Sequence, residues 1–388
     1  SHLVMLAENP GAMKQLVRLC SASAWFSETL AKQPVLLDEL IDQRSLYSPP
    51  SKEALQSDLR QQLLRIPEED EEQLMDTLRY FKSAHVLIVA ASDITGVLPL
   101  MKVSDYLTWL AEVILEVVLE IAWQQLCEKH GVPLKAPGVP CDPDFIIVGY
   151  GKMGGIELSY GSDLDLVFVH DADASLYTAG NKPIANSVFF TRLGQKIIHI
   201  LNTFTTCGHL YEVDMRLRPS GNSGLLVSSL KAFSEYQEKE AWTWEHQALV
   251  RARAIVGDLT GREEFNKIRR EILQQKRNLE KLVIEVRDMR ERMRNEQLVK
   301  KKKIIDMLVI MLLIVTALPV VETMNVIITE PSNVKASSVT SISRKMKENQ
   351  TELYDLAWLI VTLPNGGEQW SGTQTISWMW GGAIPILP

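Results

Sequence analysis

At 388 residues and 46% hydrophobic content, the chain has material for two or three domains and an ample core. A formal net charge of -7 excludes bulk attraction to nucleic acid. The 4 cysteines (Cys20, Cys127, Cys141, Cys207) form no C-x-x-C pair and the 7 histidines have no ligand spacing, which argues against a disulfide framework or a zinc site and for reduced thiols in a cytoplasmic protein.

Residues 1–131 read as a helical lead-in. Ser1 opens directly into helical sequence, with no initiator Met or signal peptide, so the chain is expected to be a segment of something longer. Asn9-Pro10 and Gln33-Pro34 punctuate the first helices, and Tyr47–Ser51 is a Pro-rich loop. The acidic run Glu68–Glu72 suits the start of a helix, where negative charge complements the dipole. Ser104 predicts an N-cap for a helix over 105–129, with Gly131 as its stop. Apolar positions nearly encircle that helix, so it is expected to be buried. Glu112, Glu116 and Glu120 interrupt it too often for a membrane span.

Pro133, Pro137, Pro140 and Pro143 mark the opening of a second domain, 132–260, in which short strands alternate with helices from 145 to about 258. Phe145–Val148 reads as a buried strand ending in Gly149, Gly151, Gly154 and Gly155. Ser162-Asp163-Leu164-Asp165 then leads into a second apolar run, Leu166–Val169. Strand alternation places Asp163 and Asp165 on one face and Leu164 and Leu166 in the core. Two carboxylates at the mouth of a glycine turn repel unless a cation lies between them. Hard oxygen ligands of this kind suit Mg²⁺, held by one or two carboxylates together with substrate phosphates. The glycines let backbone N–H groups approach those phosphates.

Other readings compete. Gly149-Tyr-Gly-Lys-Met-Gly154 fits the dinucleotide fingerprint, with Asp171 near the ribose-binding position. A parallel crossover needs about a dozen residues or more, and here a short link with Tyr160, Gly161 and Ser162 suits a turn instead. A Walker A loop would need Ser or Thr after Lys152, where Met153 stands. A plain glycine turn with solvated carboxylates is the third alternative.

Residues 181–203 read as largely helical, with Phe189, Phe190, Leu193, Ile197 and Ile200 as the buried stripe. From Tyr211 to Gly221 the chain alternates again: Glu212, Asp214, Arg216 and Arg218 share one face, and Val213, Met215 and Leu217 the other. A strand carrying Asp214 beside the Asp163/Asp165 strand completes a three-carboxylate, two-metal site, with Arg216 and Arg218 facing phosphates.

The pattern G-x-G-K-x-G-G from Gly149, S-D-L-D-L from Ser162, and E-V-D-x-R-L-R-P-S-G from Glu212 resembles the glutamine synthetase adenylyltransferases, of the DNA polymerase β-like nucleotidyltransferase superfamily. The resemblance continues through Pro34–Leu40, Glu240–Arg253 and Glu285–Arg294, about three quarters of the chain, and its wording is that of the C-terminal, adenylylating half. It implies an α+β fold with a polymerase β-like sheet, and transfer of AMP from ATP to a tyrosine of glutamine synthetase. It also implies Asp163 and Asp165 bridging two Mg²⁺ ions and Asp214 holding the one beside the tyrosine oxygen. Gly154, Gly155 and Ser162 would cradle the β- and γ-phosphates, while Lys152, Arg216 and Arg218 neutralise charge. Glutamine and the PII signal protein are the implied regulators. Within this picture Trp242 and Trp244 are expected in the core rather than stacked on an adenine, and Arg251 and Arg253 reach the triphosphate or pair at the surface. The competing expectation is a catalytically inactive nucleotide-binding fragment, or a chimeric product of two joined genes.

Residues 262–298 are expected to be one long charged helix, with Glu263–Lys267 and Asp288–Arg292 pairs, and 261–298 to be the start of a truncated helical domain. The Gly-Gly segment that follows it in the family is missing here. Instead Lys300–Lys303 precedes Ile304–Val321, nearly all apolar, so that 299–323 resembles a signal peptide or a membrane span. Membrane contact is expected only if 304–321 insert. Residues 324–388 are β-prone and weakly resemble the opening of an extracellular β-sandwich module. Two unrelated units are thus expected to join near 295–300.

Overall fold

The structure is a computed structural model that describes residues 10–40, 49–67, 70–205, 207–278, 280–292 and 294–295, and two short strands in the tail. It divides into two units, 1–286 and 287–388. Within the described residues the first unit is a helical layer followed by a mixed sheet with helices on both faces, an α+β architecture.

The helical layer comprises α1 (Pro10–Ala22), α2 (Ala24–Lys32), a 3₁₀ turn over Pro34–Leu40, α3 (Lys52–Leu63), α4 (Glu71–Ile94) and α5 (Leu100–His130). Side-chain caps start them: Ser23 Oγ accepts from the Phe26 amide, Ser51 Oγ from Ala54, and Asp70 Oδ1 from Gln73. The acidic run therefore does open a helix, its described part beginning at Asp70. Helix α5 begins at Leu100, behind Pro99, rather than at Ser104. Proline suits the position before a first turn that needs no N–H, and Ser104 lies inside the helix, where its carbonyl accepts from the Thr108 hydroxyl. Gly131 ends α5 at φ 79; any side chain there would strike the Ala179 carbonyl.

Helices α3 and α5 run side by side through a ladder of polar pairs at four-residue spacing. Lys52 meets Glu112, Gln56 Nε2 donates to Glu116 Oε2 at 2.7 Å, and Arg60 reaches Glu120 at 3.1 Å. The three glutamates that interrupt the apolar pattern of α5 are one rail of this ladder.

After a short hairpin, β1 (Leu134–Ala136) and β2 (Val139–Pro140), the sheet begins with β3 (Phe145–Gly149), the short helical turn α6 (Gly151–Gly154) and β4 (Leu164–His170). It continues with α7 (Asn186–Asn202), β5 (Val213–Asp214), β6 (Val227–Ser229), α8 (Leu230–Lys239), α9 (Thr243–Leu249), β7 (Arg253–Val256) and α10 (Leu259–Leu273). The strand order is β5-β4-β3-β7, with β6 also on β4. Strands β3 and β4 are antiparallel, from Phe145↔His170 to Gly149↔Leu166, so the glycine turn joins a hairpin and not a parallel dinucleotide-binding crossover. Phe145, Ile147, Leu166 and Phe168 face α5 and α7, where Phe189, Phe190, Leu193 and Ile197 complete the core. Ile146, Val148, Val167 and Val169 face α8 and α10, with Phe233, Phe265 and Ile268. A strand covered on both faces is apolar at every position, which is why β3 and β4 appear in the sequence as unbroken runs.

Two expectations fail in this region. The alternating pattern of 211–218 is a strand only at Val213–Asp214, and the chain then turns. The Asp214 carboxylate accepts the Arg216 amide at 2.8 Å, a side-chain-to-backbone bond that competes with the strand. Nor is 262–298 one helix: α10 ends at Leu273, and a second helical stretch is described from 280, with the Asn278 side chain accepting the Lys281 amide at 3.1 Å. Lys267 pairs with Glu264 at 3.2 Å rather than with Glu263.

In the second unit, Thr375–Ser377 and Ala383–Pro385 pair as antiparallel strands. The apolar stretch 304–321 lies outside the described residues. No helix among the described residues is long and apolar enough to cross a membrane.

Candidate functional site

Asp163, Asp165 and Asp214 lie at one end of the sheet. Strand β5 lies parallel to β4 in the register Leu164↔Val213 and Asp165↔Asp214, so Asp165 and Asp214 are direct cross-strand neighbours. Leu164 and Leu166 are fully buried, and Asp165, of opposite parity, is half-buried beyond the end of the core. Asp163, exposed, lies one residue before β4. Burial raises the Asp165 pKa, and the charges of Asp214 and Asp163 raise it further, only partly offset by Arg216 and Lys152. Like charges so close make ionisation unfavourable.

The glycine turn is shaped to the same carboxylate. Gly151 adopts φ 52, and a Cβ there would lie 2.2 Å from Asp165 Oδ2. Only glycine tolerates both that backbone and that approach. The Tyr150 amide donates to the Asp165 carbonyl at 2.8 Å, tying the turn to β4 from the backbone side as well.

Remote side chains hold β5 in place. Arg79 of α4, fully buried, donates to the carbonyls of Met75 (2.7 Å), Gly208 (2.8 Å), Ile200 (3.2 Å) and Thr203. Lys82, one turn on, donates to the Leu210 carbonyl at 2.5 Å and lies 4.2 Å over the Tyr211 ring. Burial lowers the Lys82 pKa to about 8, and the neighbouring Arg79 adds to the effect. Together they fasten the segment that runs from α7 into β5 and so place Asp214. Nothing local in the sequence marks this pair; a charge inside the apolar repeat of α4 was the available signal.

The remaining expected site residues are distributed differently. Arg216 lies on Asp214: its Nε is 3.0 Å from Oδ1 and 2.8 Å from Oδ2, and Nη2 also reaches Oδ2. These bonds hold the Asp214 pKa below the usual carboxylate range. Arg218 is folded back on its own loop, donating to the carbonyls of Met215 (2.8 Å) and Asn222 (3.2 Å). Lys152 Nζ approaches Ser162 Oγ at 3.5 Å, and that hydroxyl accepts the Ser159 amide at 3.1 Å, closing the turn before Asp163. The amides of Gly154 and Gly155 donate within the turn, to the Tyr150 and Gly151 carbonyls. Their missing side chains make room for Arg251, whose carbonyl oxygen lies 1.8 Å from an ideal Cβ on Gly154 and whose Nη2 lies 2.6 Å from one on Gly155.

Arg251 and Arg253 pair with protein carboxylates, Arg251 with Glu157 and Arg253 with Glu112 of α5. Trp242 and Trp244 correct the expectation of core packing: Trp242 is 70% exposed and Trp244 is exposed too. They flank the start of α9, where the Glu245 carboxylate accepts the Trp242 amide at 2.9 Å, and the buried anchor of that helix is Leu249.

The donor set, all carboxylate oxygen, fits a hard divalent cation. Burial first, and then repulsion from Asp214 and Asp163, raise the Asp165 pKa, and such a cation would offset both. Among the described residues no three His, Cys, Asp or Glu side chains converge on a single ion position. The counter-charge on Asp214 is the Arg216 guanidinium.

The family model described as glutamate-ammonia ligase adenylyltransferase matches residues 13–268. The bifunctional glutamine synthetase adenylyltransferase/adenylyl-removing enzyme of Pseudomonas aeruginosa is 60% identical over 295 residues, covering 76% of this chain and 30% of that protein. Its namesake in Hahella chejuensis is 59% identical over 293 residues, with 76% and 30% covered. That of Shewanella oneidensis is 53% identical over 301 residues, with 77% and 31% covered. The chain thus spans about 30% of the length of the curated relatives it matches.

Proposed function

The chain belongs to the glutamate-ammonia ligase adenylyltransferase family, and on that premise we propose that it transfers AMP from ATP to a tyrosine hydroxyl of glutamine synthetase, releasing pyrophosphate. The observation that carries this reading is the register Asp165↔Asp214 between parallel neighbours, with Asp163 two residues before Asp165. Carboxylates on adjacent strands beside a glycine hairpin are the arrangement expected of a polymerase β-like nucleotidyltransferase. On this reading 132–260 is the catalytic portion, 1–131 its helical lead-in, and 261–298 the start of a further helical domain. Residues 299–323 and 324–388 lie outside the catalytic unit.

Asp163 and Asp165 would hold the Mg²⁺ ions, and Asp214 would share the one beside the acceptor. Bound there, Mg²⁺ supplies Lewis-acid polarisation of the α-phosphate and offsets the charge of the leaving pyrophosphate. Arg216, released from Asp214, turns to the phosphates, together with Lys152 beside Ser162. Gly154, Gly155 and Ser162 form the wall against which the β- and γ-phosphates rest, and Arg218 keeps the following loop in shape. The tyrosine oxygen attacks the α-phosphorus, its proton passes to Asp214, and the bond from phosphorus to the β-phosphate oxygen breaks. Glutamine and the PII signal protein act as effectors, and glutamine synthetase as acceptor places the reaction in the cytoplasm.

Incubation with radiolabelled ATP, Mg²⁺ and glutamine synthetase tests this reading. Label should appear on tyrosine and vanish in Asp163→Asn and Asp165→Asn proteins that keep the parent circular dichroism. Undiminished labelling by the double variant would refute the site.

A catalytically silent nucleotide-binding segment is the second reading, favoured by the hold of Arg216 on Asp214. ATP binding by calorimetry with no transfer to fresh glutamine synthetase would decide for it.

A further inference from the structure

Glu112 is the most deeply buried carboxylate of the α3–α5 ladder, at 5% exposure on an otherwise apolar stretch of α5. A carboxylate taken out of water is costly unless paired and hydrogen-bonded. Both of its oxygens are engaged: Oε2 by Lys52 of α3, and Oε1 by Arg253 Nη2 at 2.5 Å. Arg253 does not stop there. Its Nε donates to the Gly154 carbonyl at 3.3 Å and its Nη2 to the Met153 carbonyl at 3.2 Å. These carbonyls end the α6 turn, where that of Met153 also accepts the Ile156 amide at 3.5 Å. The same turn presents Gly151 to the Asp165 carboxylate.

We propose that Glu112 is a positioning residue for the nucleotide site. Through Arg253 it fixes the glycine turn, and through the turn it fixes Asp165. This rests on the nucleotide reading above and adds to it a specific charge link from the helical lead-in to the site. Holding α3 to α5 does not explain the arrangement, because Glu116 and Glu120, with Gln56 and Arg60, already do that at the solvent rim. Only Glu112 reaches across to a residue of the sheet. Arg253 is well placed to transmit the constraint, since it opposes Gly149 in the β3–β7 register and sits at the mouth of the turn.

The test uses the full chain and two measurements: affinity for ATP·Mg²⁺ by calorimetry, and hydrogen exchange of the Gly154 and Gly155 amides without nucleotide. Glu112→Gln keeps shape and removes charge. Arg253→Lys keeps charge but cannot bridge the carboxylate and both carbonyls. Each should weaken ATP·Mg²⁺ about tenfold and speed exchange by a similar factor, the usual scale for a mutation along a coupled network. The double variant should be no worse than either single one, because both cut one chain of contacts. Glu116→Gln, which removes the charge of a rung without touching Arg253, should leave both readings at the parent value. Parent-like affinity and exchange in folded Glu112→Gln, equal losses in Glu116→Gln, or additive losses in the double variant would each overturn the proposal. If Glu112→Gln does not fold, Arg253→Lys decides alone, and parent-like behaviour there overturns it. Failure of the unmutated chain to bind ATP would refute the nucleotide reading, while the exchange measurement still decides the link.

Discussion

Substituting Gly154 by Ala isolates the contribution of the glycine turn. The added Cβ would lie 1.8 Å from the Arg251 carbonyl oxygen and 2.5 Å from that of Gly149. Both obstacles are backbone, so no rotamer change relieves the clash; either the turn or the β7 approach must shift. Overpacking that moves backbone costs about 3 kcal/mol, the upper end of the usual range. For a unit of this size that lowers Tm by roughly 6 °C. Gly155→Ala is the control: its Cβ would meet the Arg251 guanidinium at 2.6 Å, the free end of a flexible and exposed side chain. Gly155 has φ -82, which alanine adopts without strain, so the change should stay within about 0.5 kcal/mol. Thermal melts followed by circular dichroism compare the two directly, and ATP·Mg²⁺ titration of each tests whether the displaced turn matters to binding. Equal melts would show that the turn is not wedged against β7 and would refute the reasoning.

Asp165→Asn should raise Tm in metal-free solution at neutral pH, because burial and two neighbouring carboxylates penalise the ionised form. The folded-state pKa is raised, so that penalty grows as pH rises through it, and the advantage of Asn should shrink as pH falls below it. Millimolar Mn²⁺ should stabilise the parent and not this variant in the same melts. Lys82 has the opposite protonation logic: with its pKa lowered to about 8, the unfolded chain binds more protons above that pH. Stability should therefore rise with pH from about 8 toward the ordinary lysine value near 10.4, and urea titrations of Lys82→Met should lose that rise. Truncation after Arg294 should leave ATP·Mg²⁺ affinity unchanged and improve solubility, since Ile304–Val321 has no polar face for water. Lost affinity in a folded truncation would show that the tail serves the site.

The placement of Asp165 on β4 was readable from the sequence because strand parity is a local property of the backbone. Once Leu164 and Leu166 are buried, Asp165 has only the other face to occupy. The unbroken apolar run anticipated β3 and its glycine end, and the sequence further anticipated a helix opening at the acidic run, the stop at Gly131 and the apolar stripe of α7. Parity gave the wrong answer after Asp214, where the chain turns as the Arg216 amide donates to the Asp214 carboxylate.

Arginine partners were the least readable feature. A guanidinium on a long stem pairs with whatever carboxylate or carbonyl folding brings within reach, and for Arg253 that is Glu112, contributed by a helix far back in the chain. Arg216 and Arg218, expected at the phosphates, go to Asp214 and to their own loop for the same reason. Trp242, at the position before α9, is exposed, which no count of aromatic residues could reveal. By itself, then, the sequence determined which residues face which side of each strand and helix, since that follows from backbone periodicity over a few residues. The tertiary structure alone decided which charge answers which, since that depends on distances set by elements remote in the chain.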